Sequence, residues 1–98
     1  MKHFDGDFSL LPLRASLDIG PVPQHPTSED FQNAACRTAS ADPFTWEGAA
    51  AHWYLEAVRE RRNHPAAPLS GEHLTAITKR TAERLYTAQR AALNAHDS

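Results

Sequence analysis

His52 and Glu56 have the types and the spacing for metal or acid–base chemistry. Side chains four positions apart lie together on a helix, and an imidazole beside a carboxylate can hold a metal ion or move a proton. A metal site needs at least two further ligands, and the remaining five of the six histidines are scattered singly over loops and segment ends. The pattern therefore predicts a surface pair that continues through Arg59 and Glu60, with no metal.

The usual nucleophile and phosphate-loop patterns are missing from the sequence. Cys36 lies between Ala35 and Arg37 with no histidine placed to activate it, which is typical of a half-buried structural thiol. No serine stands in a Gly-x-Ser-x-Gly motif, and the four glycines are dispersed along the chain. We therefore expect a non-enzymatic protein without catalytic residues, cofactor or metal.

Arginine is concentrated in two groups, Arg59, Arg61 and Arg62 in one predicted helix and Arg80 and Arg84 in the next. Guanidinium groups bind phosphate through paired hydrogen bonds, so these helix ends could contact a nucleic-acid backbone. In a helix-turn-helix the second helix would read the bases, but here it begins with Phe44, Trp46 and Ala50. Nucleic-acid binding is therefore the alternative hypothesis, and a solvated charged face is the simpler interpretation of the arginines.

Trp, Tyr and Arg are also the residue types that anchor protein interfaces. The predicted partner-binding residues are Trp53, Tyr54, Arg59, Arg61, Arg62, Arg80 and Arg84. The leading hypothesis is a small regulatory or accessory protein that docks on another protein or associates with itself.

The triplet Trp46-Glu47-Gly48 resembles the Trp-x-Gly motif of a family of small secreted helical hairpins. That family has a long helix before the motif, whereas prolines at positions 12, 21, 23 and 26 exclude one here. Its second helix is uninterrupted, whereas Pro65 and Pro68 break this one. The sequence therefore does not place the chain in the family.

Residues 1–26 are predicted to form an extended N-terminal arm and a proline-rich connector. Apolar residues alternate with others from Leu11 to Ile19, which is the period of a half-buried strand, and Pro12 restricts such a strand to a sheet edge. A helix remains the other interpretation, because Leu10, Leu13 and Leu17 share one helical face. No second strand follows, so the arm would cover the helices or pair across a homodimer.

Residues 27–98 are predicted to form three helices, which makes the fold mainly α-helical. The first helix, 28–40, begins after Thr27, the second, 43–63, has Asp42 as N-cap and Pro43 at its first position, and the third, 71–95, follows Ser70. A wide apolar arc that includes Trp46, Ala50, Trp53 and Ala57 predicts that the second helix is the core, with His52, Glu56, Arg59 and Glu60 on its solvent side. The third helix carries the seam Leu74, Ile77, Thr81, Leu85, Ala88 and Ala92.

The length of 98 residues and the net charge of −2 are typical of one small soluble domain. No stretch is long and apolar enough for a signal peptide or a membrane span. A single cysteine fits a reducing compartment, so we expect the cytoplasm. Arginine far outnumbers lysine and alanine is abundant, which favours a GC-rich bacterial or phage genome.

Overall fold

The computed structural model describes residues 3–66 and 69–97, and four α-helices lie in those ranges. A 3₁₀ turn, Phe8–Leu10, leads into α1, Leu11–Asp18; α2 is Ser28–Ser40, α3 is Trp46–Asn63 and α4 is Gly71–Asp97. Over this part of the chain no β-sheet forms, and a single antiparallel bridge joins His3 to Thr45. The predicted mainly α-helical class is confirmed.

Helix α3 is the axis of the fold, because α1, α2 and α4 all pack against it. The central cluster of buried side chains comprises Leu11 and Ala15 of α1, Ala49, Ala50, Trp53 and Ala57 of α3, and Ile77 and Leu85 of α4. Alanines at the contact let neighbouring helices approach closely. The prediction that this helix forms the core is confirmed.

The segment after Leu10 is a helix, so the expected extended arm or edge strand is wrong. Leu11 and Ala15, four positions apart, are fully buried, whereas Leu13 and Leu17 are 58% and 72% exposed. A lone strand would leave its backbone N–H and C=O groups without partners, while a helix satisfies them within the segment. Pro12 fits because it lies in the first turn, where its missing N–H costs nothing. Gly20, at φ +132°, then ends the helical segment.

The start of α2 follows the prediction, whereas α3 begins later than expected. The Thr27 hydroxyl accepts a hydrogen bond from the Asp30 N–H, and the Asp30 carboxylate accepts one from the Thr27 N–H. Together these two bonds form a capping box. At α3 the N-cap is Thr45, whose hydroxyl accepts a 3.1 Å bond from the Gly48 N–H. Asp42, the predicted cap, instead accepts from the Phe44 N–H and shapes a turn before the helix.

The N-terminal segment is fastened to that turn. The N–H of Phe4 donates a 2.8 Å hydrogen bond to the carbonyl of Phe44, and the Phe4 ring meets Trp46 edge-on with centroids 4.8 Å apart. Phe8 packs edge-on against Phe4, and the guanidinium of Arg14 lies over Trp46. These contacts hold the segment before α1 beside the other helices and place it where it faces α4.

The predicted seam of α4 is largely correct. Ile77, Thr81 and Leu85 are buried against α3, and the Thr81 hydroxyl donates to the Ile77 carbonyl at 2.7 Å. Leu74 is 37% exposed and therefore lies at the edge of the seam. Side chains on the two flanks of this seam line two different surface sites.

Candidate functional site

Two carboxylates are buried between α3 and α4. Glu56 is 1% exposed and Glu60 is 4% exposed, one turn apart on α3. Their predicted position on a solvent-facing strip is therefore wrong. The strip is covered by α4, whose Arg80 pairs with both acids and makes their burial tolerable.

Arg80 bridges the two carboxylates. Its Nη2 donates a 2.9 Å hydrogen bond to Oε1 of Glu60, and its Nε lies 3.4 Å from Oε1 of Glu56. The other oxygens have their own partners: Nε of Arg59 lies 3.2 Å from Oε2 of Glu56, and Nδ1 of His73 lies 3.0 Å from Oε2 of Glu60. The cluster therefore ties α4 to α3 through Arg80 and His73, which contact the two buried glutamates.

The carboxyl group of Glu60 is held in its ionised form. Burial alone raises its pKa, but hydrogen bonds from His73 and Arg80, with the charges of Arg80 and His64, outweigh burial and bring the pKa below its ordinary value. Because the folded-state pKa is the lower one, the contribution of Glu60 to stability is present above the unfolded pKa. It is lost as the pH falls through the folded value.

An arginine-lined cleft opens beside this cluster at the end of α3. Its walls are Glu56, Arg59, Arg62, Asn63, Arg80 and Arg84, around a volume of about 170 Å³. The guanidinium carbons of Arg59 and Arg62 lie 4.9 and 4.8 Å from the ring centroid of Phe31, which belongs to α2. The structure thus brings together Arg59, Arg62, Arg80 and Arg84, whereas Arg61 is not part of the lining.

His52 does not form the expected pair with Glu56, whose described partners are Arg59 and Arg80. The imidazole is half-buried. Burial, and after it the positive charge of Arg84, lowers the pKa of His52 below its ordinary value of 6.5. His52 is therefore a neutral neighbour of the cleft at physiological pH.

Replacing His52 with glutamine is expected to weaken the loss of stability in acid. Below pH 6.5 the unfolded chain protonates this histidine more readily than the folded one, so folding stability falls with pH down to the folded pKa. Urea unfolding of both proteins at pH 7.5 and 5.5 should show the variant gaining stability relative to the parent at the lower pH. The exposed His25→Gln serves as the control, and an equal difference at both pH values would contradict the assignment.

Of the two aromatic residues predicted as interface anchors, Trp53 belongs to the core and Tyr54 lies partly buried at its edge. Trp53 is 4% exposed, which corrects its assignment to a partner-binding surface. Tyr54 is half-buried, and its hydroxyl lies 3.5 Å from the Pro21 carbonyl oxygen. Burial, and after it the charge of Asp30, raises the pKa of Tyr54, an effect that Arg37 partly offsets. Both rings therefore fasten α3 to its neighbours.

A groove runs along α4 on the flank opposite the cleft, and we call it the α4 groove. Its floor and α4 wall are Leu74, Thr75, Thr78, Lys79, Ala82, Leu85, Tyr86 and Gln89; its other wall is Phe4, Asp5, Gly6, Phe8, Ser9 and Pro12. It consists of two hollows, of about 220 and 470 Å³, that share Phe8. The sequence did not predict this groove, because the wall that faces α4 comes from residues 4–12, which were assigned to an extended arm. The only sequence signal is Tyr86, which lies to one side of the seam of α4 and is 69% exposed.

Other chemistry finds little support in the described parts of the chain. Within 3–66 and 69–97, no group of three or more His, Cys, Asp or Glu side chains is placed to hold a metal ion. Cys36, expected to be half-buried, is exposed on α2 as a free thiol. None of the helices in these ranges combines the length and the apolar character needed to cross a membrane.

Comparisons with protein-family models, with curated protein sequences and with solved structures gave no match for this chain. The geometry of the cleft and of the α4 groove is therefore the basis for a functional assignment.

Proposed function

We propose that this chain is a non-enzymatic docking protein that holds a helical segment of another protein in the α4 groove. The observation that carries the proposal is the open groove between the N-terminal segment and α4, which is mainly apolar in the half near Leu74 and more polar in the half that Asp5 and Gln89 line. Phe8, Pro12, Leu74 and Tyr86 give it apolar side chains at the surface. Grooves of this kind bind the apolar face of an amphipathic helix.

The length of the groove favours a helix from a different protein over a second copy of α1. At about 1.5 Å per residue, the wall from Leu74 to Gln89 is about 22 Å long. Helix α1 has eight residues and is about 12 Å long, so it would fill only half of that length. A partner helix of about four turns matches the groove.

Charges at the two ends of the groove suggest the direction of the partner helix. Asp5 lies at the end near Gln89, and Lys79 lies at the end near Leu74. A helix N-terminus carries partial positive charge and a C-terminus partial negative charge. A helix antiparallel to α4 would therefore meet an opposite charge at each end.

Polar substitution in the groove is expected to weaken the binding of such helices. A display library of amphipathic 16-residue peptides, selected on the full chain, should yield binders whose affinity falls at least about tenfold on Tyr86→Ser and Leu74→Ser, since each variant removes roughly 1.4 kcal/mol or more of apolar contact. Leu17→Ser is the matched control, because Leu17 is a similarly exposed apolar residue on α1 and lies outside the groove lining.

Two results would overturn the docking proposal. One is a set of selected peptides that bind the groove variants and the parent equally well. The other is sedimentation of the parent as a dimer that Tyr86→Ser converts to a monomer, because the groove would then be occupied by a second copy.

We place this docking role in the cytoplasm of a bacterial or phage-infected cell, where the partner helix would be regulated by its capture. The exposed thiol of Cys36 supports a reducing compartment, in which it stays free. The arginine-rich and alanine-rich composition supports a bacterial or phage origin.

A second candidate function is nucleic-acid binding through the arginine-rich parts of α3 and α4. The supporting observation is that Arg59, Arg62, Arg80 and Arg84 meet in one cleft. Two of these four side chains are already paired with buried carboxylates, which leaves fewer charges for a phosphate backbone. The oligonucleotide arm of the titration described below tests this candidate.

A further inference from the structure

We infer that the arginine-lined cleft between α3 and α4 is a binding site for a small phosphate-bearing ligand, either inorganic phosphate or a phosphomonoester. The inference is independent of the docking proposal. On α4, Arg80 and Arg84 line the cleft, whereas the α4 groove lies on the opposite flank of the helix.

The cleft holds more positive charge than its own carboxylates require. Four arginines face Glu56 and the adjoining Glu60, which leaves an excess of two positive charges. Arg59 and Arg80 already neutralise the two acids. Within the described ranges neither Arg62 nor Arg84 has a carboxylate oxygen within 4.0 Å of its guanidinium nitrogens, so their charge is available to an anion.

Three of the four guanidinium groups, those of Arg59, Arg62 and Arg80, have contacts that position them before any ligand arrives. Nη2 of Arg80 donates a hydrogen bond to Glu60, and the Nε atoms of Arg59 and Arg80 lie within ion-pair distance of Glu56, at 3.2 and 3.4 Å, without a hydrogen bond to it. Each guanidinium has five N–H donors, so further donors of both side chains are left for the cleft. The guanidinium groups of Arg59 and Arg62 also lie over the ring of Phe31. Donors fixed in this way lose little conformational entropy on binding.

The size of the cleft and its aromatic neighbour favour a small ligand over a nucleic acid. A volume of about 170 Å³ is below the roughly 300–1,000 Å³ of sites that enclose larger molecules, and it suits a single phosphate group. Single-stranded nucleic acids need exposed aromatic faces on which bases stack. The ring of Phe31 is already covered by two guanidinium groups.

A titration of the full chain at constant ionic strength tests the inference. Inorganic phosphate, glycerol phosphate and a short oligonucleotide are added in separate arms, and the side-chain Nε–Hε resonances of the arginines are followed by NMR. Saturable shifts are expected at Arg62 and Arg84 with one or both small ligands. Arg84→Gln and Arg62→Gln should each weaken binding about tenfold, as the loss of a charged hydrogen-bond partner does.

The matched control is Arg90→Gln, which removes an exposed arginine of α4 outside the cleft and should leave the affinity unchanged. Thermal melts without ligand verify that each variant is folded. Arg62→Gln and Arg84→Gln are two separate tests, so the loss of one folded variant leaves the other to test the cleft. Tighter binding of glycerol phosphate identifies a phosphomonoester as the ligand, tighter binding of inorganic phosphate identifies free phosphate, and equal binding shows that the site recognises the phosphate group alone. The inference is overturned if neither small ligand saturates, if Arg90→Gln loses as much affinity as the cleft variants, or if only the oligonucleotide binds.

Discussion

Gly48→Ala is expected to lower the free energy of unfolding by about 2–3 kcal/mol and the melting temperature by roughly 10–20 °C. A Cβ atom at position 48 would lie 1.9 Å from the carbonyl oxygen of Asp42 and 3.1 Å from the Cα of Pro43. Both neighbours are backbone atoms, so the turn itself would have to move. Alanine elsewhere in a helix is favoured over glycine by up to about 1 kcal/mol, and here the clash outweighs that gain. Thermal and urea unfolding measure the effect.

Gly71→Ala is the matched control for this substitution. Gly71 is the first residue of α4, and nothing lies within 4 Å of the Cβ that alanine would add. This variant should be neutral or about 0.5 kcal/mol more stable than the parent, because alanine restricts the unfolded chain. If Gly48→Ala proved as harmless as Gly71→Ala, the close approach of the Asp42–Pro43 turn to α3 would be disproved.

The turn at Asp42–Thr45 matters because the N-terminal segment and α4 are both fastened to it. Phe44 accepts the hydrogen bond of Phe4, and the Pro43 carbonyl accepts a 3.1 Å bond from Nε2 of Gln89 on α4. Moving the turn would therefore disturb the N-terminal wall and the α4 wall of the groove together. Gly48→Ala is expected to weaken peptide capture in the α4 groove even at temperatures where the variant is folded.

Local signals in the sequence predicted the helices whose ends are defined by nearby residues. Thr27 and Asp30 mark the start of α2 within four residues, and the wide apolar arc of α3 predicted its burial. The start of α3 was misplaced because Asp42 and Thr45 are both good caps. The choice of Thr45 depends on the tight turn that Gly48 permits, a contact between backbone atoms that helix propensity does not report.

The helical state of α1 could not be decided from its own residues. Leu11, Leu13, Ala15 and Leu17 fit a strand, and Leu10, Leu13 and Leu17 fit one side of a helix. The structure buries neither set, since Leu11 and Ala15 face α3 while the other leucines are exposed. The residues of this segment fit both a strand and a helix, and packing of Leu11 and Ala15 against α3 selects the helix.

The candidate site was predicted in its residue types but not in its geometry. Arg59, Arg62, Arg80 and Arg84 were chosen as cationic ends of two helices, and they line one cleft. Glu56 and Glu60 were assigned to solvent, because a helical wheel of α3 alone shows them beside His52 and Arg59. Arg80, which buries and neutralises them, lies 20 residues beyond Glu60 in the sequence.

Glu56→Gln is expected to destabilise the fold by about 2 kcal/mol. Removing one member of a buried ion pair costs about 3–5 kcal/mol, and the 38% and 37% exposure of the Arg59 and Arg80 side chains reduces that cost through solvent screening. Glutamine keeps the shape of the side chain, so the loss reports charge and not packing. Urea unfolding at pH 7 measures it, with the exposed Glu83→Gln of α4 as a control that should change stability by less than about 0.5 kcal/mol.

Salt separates a buried charge cluster from a surface pair in the same experiment. Interactions between exposed charges are largely screened at about 1 M salt, whereas buried pairs are screened much less. Most of the penalty of Glu56→Gln should therefore persist at high salt. A penalty no larger than that of Glu83→Gln, or one that vanishes in 1 M salt, would show that Arg59 and Arg80 are solvated. The cleft would then lack its fixed donors, and the phosphate site would lose the preorganisation from which its affinity is expected.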